Sequence, residues 1–451
     1  MSSYFPNINK KSFIINLLFS SLVLSFIAGN LFININILLI ILISFFFYKK
    51  NIIDLNFDLT DKTIIVLFLY ILLIGFFKNT YFLKEDINKD FTILIKAILF
   101  LRYLILYFVI KFLIKESIIN LKFFFITSLC AVTFVCLDII YQAFFGYDIF
   151  GFKGLERRLS GPFGDELIAG SFIQRFSLFA LFLFPIFYKF KKNYFLYFII
   201  FTLVCLFTSS LILSGNRIPL VLFFLTISSV TIFEKALRKY FFLFIIVSSS
   251  IFTSLYHFDK NINYHFNHFQ QQAKRIIFIL SPENILTKEE LKKTYSNERE
   301  SNIFYTFEYK GNIYKMRNSY LKEFKAGYYT WKINKYFGGG IKSYIKNCSK
   351  AKVVTCNNHP HNYYLEILTE LGLVGFLISV FLFLIVFIKT FIKKYFMDSN
   401  LRNYHTITPF IFLFFAEVFP IKTTGSFFTT GNATYIFLIF SIMISLTKLK
   451  N

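Results

Sequence analysis

The sequence predicts an all-α polytopic membrane protein, and two observations support this fold class. Of the 451 residues, 56% are hydrophobic and 16% are charged, whereas about a quarter of the residues are charged in a typical soluble domain. The apolar residues also gather in blocks of about 20 residues separated by short polar stretches, which is the length that a helix needs to cross a bilayer. A soluble fold is therefore excluded, and the lipid bilayer is the first predicted partner.

About twelve apolar blocks have the length and composition of spanning helices. The first follows Lys10 and Lys11 and lacks a small-residue cleavage site, so we expect an uncleaved helix and not a signal peptide. The eleventh block is the shortest. The predicted spans are 12–28, 31–48, 63–78, 92–114, 123–145, 168–188, 194–213, 217–233, 240–256, 363–388, 408–420 and 433–448.

Basic clusters predict the orientation of the bundle. They occur in every second connection, for example at Lys49 and Lys50 and again at Lys235, Arg238 and Lys239. Because cytoplasmic loops carry the excess of Lys and Arg, both termini are predicted in the cytoplasm, with the protein in a bacterial cell inner membrane. The connections that then face the periplasm are 146–167, 214–217, 257–362 and 421–432.

The net charge of +24 has two interpretations. The Lys-rich, Arg-poor composition is typical of an AT-rich genome, and an anionic ligand is the alternative for the basic excess of the long loop. Nucleic acid is a poor partner for a chain mostly embedded in lipid. Arg is the more informative residue, because its planar fork binds phosphate bidentately whereas Lys acts as a point charge.

The long loop 257–362, between the ninth and tenth spans, is predicted to be a periplasmic lid within a single integral membrane domain covering 1–451. Residues 268–280 predict a helix, and 304–316 alternate around Gly311 as a hairpin does. An amphipathic helix is predicted over 319–337, ended by the glycines at 338–340. The sequence has no evident internal repeat.

Cys348 and Cys356 are the cysteines predicted on the outer side, since the others lie within spans. An extracytoplasmic space favours disulfides, and a bond between them would brace the segment before His359. Two unpaired thiols are the alternative.

His359 and His361 stand just before the tenth span. A neutral imidazole can accept a proton near pH 7, as a general base must. A metal site is the lesser interpretation, because no third ligand lies nearby in sequence. The structural alternative is that the pair anchors the end of a helix at the membrane surface.

Arginines at the same predicted face strengthen the functional interpretation. Arg217 lies in the turn SGNR between two spans, where a charge is costly unless it is paired or ligated. Several such arginines fit a pyrophosphate cradle, although each could form an ion pair instead, for example with Glu366 or Glu370. The other arginines of this set are Arg157, Arg158, Arg175 and Arg317.

The segment HPHNYYLEILTELGLVGF at 359–376 resembles the signature of the O-antigen ligase and polymerase superfamily, with a His-Asn pair and a following Glu-x-Gly. Other segments agree in order, and the similarity covers about 130–390. These segments are 138–152, RLSGPFG at 158–164, SGNR at 214–217, and Arg317 followed by the glycines at 338–340.

The resemblance implies transfer of a glycan from an undecaprenyl-pyrophosphate carrier to an acceptor at the periplasmic face, without metal or cofactor. It implies that His361 is the catalytic base and that Arg217 and Arg317 bind the pyrophosphate. Leu321 stands where the family has Trp, which leaves Arg275 as the alternative to Arg317. Possible supporting residues are His359, Arg158, Arg275, Glu366 and Glu370.

Ligases and polymerases of this superfamily share the motifs and differ in the acceptor. A ligase of lipopolysaccharide biosynthesis uses lipid A–core, whereas a polymerase uses a second carrier-linked repeat unit. The single large loop favours the ligase. A transporter or flippase would predict internal repeats and broken helices, and a binding-only scaffold would leave the His and Arg set without a purpose.

Overall fold

The computed structural model describes most of the chain. Only the backbone is described in the strands and at 275–280, as well as at a few helix ends. The described residues are 10–53, 57–82, 91–155, 158–187, 194–280, 304–309, 312–317, 319–351, 356–398, 400–401, 404–420, 422 and 425–448.

The described residues form a helical bundle with one small hairpin. The elements are α1 (Lys10–Ala28), α2 (Asn30–Ile53), α3 (Leu59–Phe82), α4 (Thr92–Lys115), α5 (Leu121–Phe145), α6 (Ala169–Phe187), α7 (Tyr194–Leu213), α8 (Arg217–Phe233), α9 (Arg238–Phe258), α10 (Lys260–Leu280), β1 (Phe304–Tyr309), β2 (Asn312–Arg317), α11 (Ser319–Ile333), α12 (Tyr344–Lys350), α13 (Tyr363–Ile392), α14 (Thr408–Glu417) and α15 (Thr430–Leu446).

Among the described helices, nine are long and apolar enough to cross a membrane, namely α1 to α7, α9 and α13. Helices α8, α14 and α15 are also apolar but shorter. A helix rises 1.5 Å per residue, so α14 by itself is too short to span the hydrocarbon layer. Each predicted span coincides with a helix, while the total of twelve spans stays a prediction.

The surface and the interior of the bundle agree with a membrane environment. Large apolar side chains point outward, with Phe46 and Phe144 84% and 83% exposed, as expected where lipid replaces water. The interior is packed with aromatic rings around the two most enclosed helices, α6 and α15, where Phe176 and Tyr435 meet with ring centroids 5.7 Å apart. These two helices form the centre of the core.

The predicted lid consists of α10, the hairpin, α11 and α12. Helix α10 begins at Lys260, before the predicted start at 268. Strands β1 and β2 pair antiparallel, from Phe304 opposite Arg317 to Tyr309 opposite Asn312, and Gly311 lies outside the described residues. Helix α11 ends at Ile333 and not at 337, because the chain tightens there and the Asn334 amide donates to the Trp331 carbonyl, three residues back, at 3.0 Å.

Two glycines join the lid to α13. The φ angle of Gly372 is +68°, which interrupts α13, and Gly338 (φ +76°) packs against this break. A Cβ atom on Gly338 would lie 2.3 Å from the Glu370 carbonyl oxygen, and one on Gly372 would lie 2.3 Å from that of Tyr336. Only glycine permits so close an approach in this backbone conformation. We call this contact the glycine seam.

Backbone hydrogen bonds hold the glycine seam together. The Gly340 amide donates to the Glu370 carbonyl at 2.7 Å, one of the carbonyls that the break in α13 leaves without a helical partner. Further bonds run from Gly339 N to Thr369 O (3.2 Å), from Leu373 N to Lys335 O (2.9 Å) and from Val374 N to Tyr336 O (3.1 Å). The lid is therefore attached to α13 through its main chain.

Two carboxylates at the start of α3, Asp58 just before it and Asp61 in its first turn, lie in different environments. Asp61 is fully buried, pairs with the buried Lys111 of α4 and accepts from the Tyr107 hydroxyl at 2.7 Å. Asp58 is partly exposed and contacts two partly exposed lysines, Lys389 at 3.1 Å and Lys448 at 2.9 Å.

Asp61→Asn should destabilise the bundle far more than Asp58→Asn. The first change leaves the buried Lys111 ammonium without a counter-charge and should lower the free energy of unfolding by about 3 kcal/mol. The second breaks only exposed pairs and keeps a side chain that can cap α3, so the loss should stay below about 1 kcal/mol. Unfolding in mixed detergent micelles measures both, and equal losses would contradict the assignment.

Candidate functional site

A cavity of about 1440 Å³ opens at one end of the bundle. Its walls come from the turns that precede α2, α6, α8, α13 and α15, and from one face each of α10 and α11. These turns share one end because successive helices run in opposite directions. The cavity brings together residues from separate helices and turns, namely His361, His359, Arg217, Arg158 and Arg175.

The backbone fixes His361 directly before α13. Its φ angle is +53°, a left-handed conformation that costs a non-glycine residue about 1–2 kcal/mol. Asn362 caps the helix, since its Oδ1 accepts from Tyr364 N (3.0 Å) and Leu365 N (3.1 Å), and its Nδ2 donates to the Pro420 carbonyl at 3.0 Å. Such strain in a cavity wall is typical of functional sites.

His359 lies against His361, with ring centroids 4.3 Å apart. Among the described residues its buried Nε2 atom finds no hydrogen-bond partner. Burial, and then the nearby His361 and Lys342, lower the pKa of His359 to about 4. His359 is therefore neutral near pH 7 and adds no positive charge next to His361.

Arg217 is the first residue of α8 and is held by a residue that the sequence analysis missed. Its Nε lies 2.9 Å from Nε2 of His265, and its Nη2 lies 3.0 Å from His265 Nδ1. His265 belongs to α10, is 5% exposed, and also lies 2.9 Å from the Gly215 carbonyl oxygen. A signal was present in the sequence, because His265, His268 and Gln272 share one helical face and all line the cavity.

Arg175 of α6 is buried in the cavity wall and pairs with a carboxylate from α14. Its Nη2 lies 2.6 Å from Glu417 Oε1 and 2.6 Å from Asn432 Oδ1. Lys422 also pairs with Glu417, so two buried cations share one carboxylate. Burial, partly opposed by Glu417, lowers the pKa of Lys422 to about 7. Lys422 is therefore only partly protonated near pH 7, and Arg175 is the permanent cation of this group.

The sequence analysis suggested Glu366 or Glu370 as partners for an arginine, and in the described contacts Arg175 pairs with Glu417 instead. Glu366 and Glu370 are fully buried near the start of α13 and do not line the cavity. Glu366 accepts from the Ser426 hydroxyl and from the Phe427 amide at 2.5 Å, and it lies 3.9 Å from Lys342 Nζ. It thereby holds the turn before α15 in the cavity wall.

Glu323 of α11 is a second residue that the sequence analysis missed. Its Oε1 accepts from Asn357 Nδ2 at 2.9 Å, and the same Nδ2 lies 3.4 Å from His361 Nε2. Asn357 directly follows Cys356, which forms a disulfide with Cys348 across a Cα separation of 5.7 Å. The disulfide therefore restrains the residue that connects Glu323 with His361.

Of the other candidate arginines, only Arg158 has a described side chain. Arg158 is exposed and lines the cavity. Arg317 ends β2 and Arg275 lies in α10, and their side chains are outside the description, as is Arg157. In the described part of the chain, no three His, Cys, Asp or Glu side chains come together as metal ligands.

By these features the protein is a polytopic helical membrane protein with His and Arg side chains around a cavity at one end of the bundle. Residues 172–380 match the family model described as O-antigen ligase. This match includes the segment 359–376 and confirms its resemblance to the O-antigen ligase superfamily. The match indicates a membrane glycosyltransferase of ligase or polymerase type. No curated protein matches the chain.

His359→Asn should make the protein less sensitive to acid. Burial holds the folded-state pKa of His359 at about 4, below its ordinary 6.5. Between those values the unfolded chain binds a proton that the folded chain does not, so the free energy of unfolding falls as the pH falls. Asn does not titrate, so the free energy of unfolding of the variant should fall less as the pH is lowered. Thermal unfolding in detergent at about pH 7 and about pH 5 measures this, and parallel losses in both proteins would contradict it.

Proposed function

We propose that the protein transfers a polysaccharide from undecaprenyl pyrophosphate to lipid A–core at the periplasmic face of the inner membrane, as an O-antigen ligase, with neither metal nor cofactor. The main support is the convergence of His361 and Arg217 in one cavity, although more than half of the matched family segment separates them in sequence.

His361 is the proposed general base. A sugar hydroxyl is a weak nucleophile, and a base positioned within hydrogen-bond reach removes its proton as it attacks the anomeric carbon. The neighbouring His359 is neutral near pH 7, so it places no second positive charge beside His361. Direct displacement inverts the anomeric carbon.

Arg217 is the proposed main ligand of the pyrophosphate. The leaving group gains negative charge in the transition state, and a guanidinium fixed beforehand stabilises that charge without reorganising. His265 on one side and the Phe269 ring, 5.5 Å from the guanidinium carbon, hold Arg217 in place. Arg158 in the wall and Arg175 beneath it add positive potential.

The second pyrophosphate arginine is Arg275 or Arg317. Position 275 follows 265, 268 and 272 at helical spacing, and those three residues line the cavity. This spacing favours Arg275 over Arg317, which ends β2. Parallel Arg→Gln substitutions at the two positions distinguish them, because the correct one should raise the donor KM and the other should not.

A polymerase is the second candidate, because the same arrangement also suits an acceptor that is itself carrier-linked. The two activities separate in vitro when purified protein is given the undecaprenyl-pyrophosphate glycan with either lipid A–core or a second carrier-linked repeat unit. Transfer to lipid A–core supports the ligase, whereas lengthening of the carrier-linked chain supports the polymerase.

His361→Asn should abolish transfer without preventing membrane insertion. Asn tolerates the left-handed backbone at this position but cannot act as the base, so the rate should fall by about 10²–10⁴-fold. Arg217→Gln should lower it by about 10²–10³-fold through loss of charge stabilisation.

His257→Asn is the matched control for His361→Asn. His257 is exposed at the end of α9 and is not among the residues that line the cavity, so its substitution should leave transfer within about twofold, as for surface changes in general. Full transfer by His361→Asn would refute the role of His361.

A further inference from the structure

Beyond the donor, and resting on the proposed function, we infer that Glu323 and Phe324 of α11 bind the terminal sugar of the acceptor. This subsite takes a sugar that has free hydroxyls or an amino group and no acidic group. The charged side chains of the cavity lie on different elements according to their sign. Its cations, Arg158, Arg175 and Arg217, belong to the bundle, whereas Glu323 belongs to the lid beside His361.

The Glu323 carboxylate is held ready for a ligand. Its Oε1 accepts from Asn357 Nδ2 at 2.9 Å, which fixes the orientation of the group. Its Oε2 is buried and has no hydrogen-bond partner in the described part of the chain, and the residue lines the cavity. A buried acceptor without a donor is costly to the fold, so a hydroxyl or ammonium group of a bound sugar that reached it would relieve that cost.

Phe324 supplies the apolar part of the same subsite. It follows Glu323 on α11, lines the cavity and is 39% exposed. Ligand sites combine apolar and aromatic walls with a few fixed polar groups. A pyranose ring has one face of C–H groups and an edge of hydroxyls, so its face suits Phe324 while its edge suits the carboxylate.

Charge assigns this subsite to the acceptor and not to the donor pyrophosphate. A carboxylate and a pyrophosphate repel each other in a cavity of low dielectric. The contact chain from Glu323 through Asn357 to His361 also places the subsite next to the proposed base. A sugar held there presents its hydroxyl to His361. A hexuronic acid would bring a second carboxylate toward Glu323 and should be rejected.

Glu323→Gln tests the inference while keeping side-chain size and the acceptor for Asn357. Hydrogen bonds to charged groups are stronger than those to neutral ones, so the KM for the acceptor should rise by about tenfold or more. The donor KM and kcat at saturating acceptor should stay within about twofold. Glu116→Gln is the matched control, because Glu116 is an exposed acid at the end of α4 and is not among the residues that line the cavity.

Direct binding separates this inference from the proposed function. The probes are oligosaccharides that end in a hexose, a hexosamine or a hexuronic acid, titrated onto the full-length protein in nanodiscs. The wild type should bind the first two and reject the third. Glu323→Gln should weaken the binding of the hexose and hexosamine probes, and so should Phe324→Ala. Such binding without any transfer would refute the proposed function and leave this inference standing.

Three results would overturn the inference. The first is an unchanged acceptor KM in Glu323→Gln. The second is a lower kcat with a shifted pH–rate profile and no change in acceptor KM, since Glu323 would then act only by positioning His361. The third is equal binding of all three oligosaccharides by the wild type.

Discussion

The glycine seam is the constraint on which the site depends. Gly338 and Gly372 approach each other at distances that a Cβ atom would forbid, and main-chain hydrogen bonds on both sides complete the contact. The seam fixes the end of α11 against α13. Since Glu323 lies on α11 and His361 directly precedes α13, the same contact sets their relative position. A side chain at either glycine would separate lid from bundle, and it would do so without touching a residue of the cavity.

Buried charge is the second organising element, and the bundle compensates it in two ways. At one end Asp61 neutralises Lys111, so that the pair is structural. Beneath the cavity Glu417 faces both Arg175 and Lys422, and the lowered pKa of Lys422 lets that side chain give up its proton near neutral pH. The first pair is thus balanced by a fixed counter-charge, whereas the second group includes a basic side chain that can become neutral. Either arrangement reduces the cost of uncompensated charge in the interior.

The sequence predicted the helices well, because long apolar blocks have few alternatives in a bilayer. It also drew attention to Arg217, in a short polar turn between apolar blocks, and to His361, at the end of the long loop, and both line the cavity. It did not predict Glu417 as the partner of Arg175, because 242 residues separate the two and no local pattern links them. Glu323 and His265 were missed for a related reason. Each is one polar residue among many in the long loop, and only the folded lid shows which of them face the cavity.

The turns that line the cavity have an electrostatic consequence. They precede α2, α6, α8, α13 and α15, so the amino-terminal ends of five helices surround one space. Each helix carries about half a positive charge at that end, from amide groups that its own backbone leaves without acceptors. This contribution comes from the main chain, does not titrate and survives every side-chain substitution. Removing the arginines one by one would therefore leave a residual attraction for anions that belongs to the architecture itself.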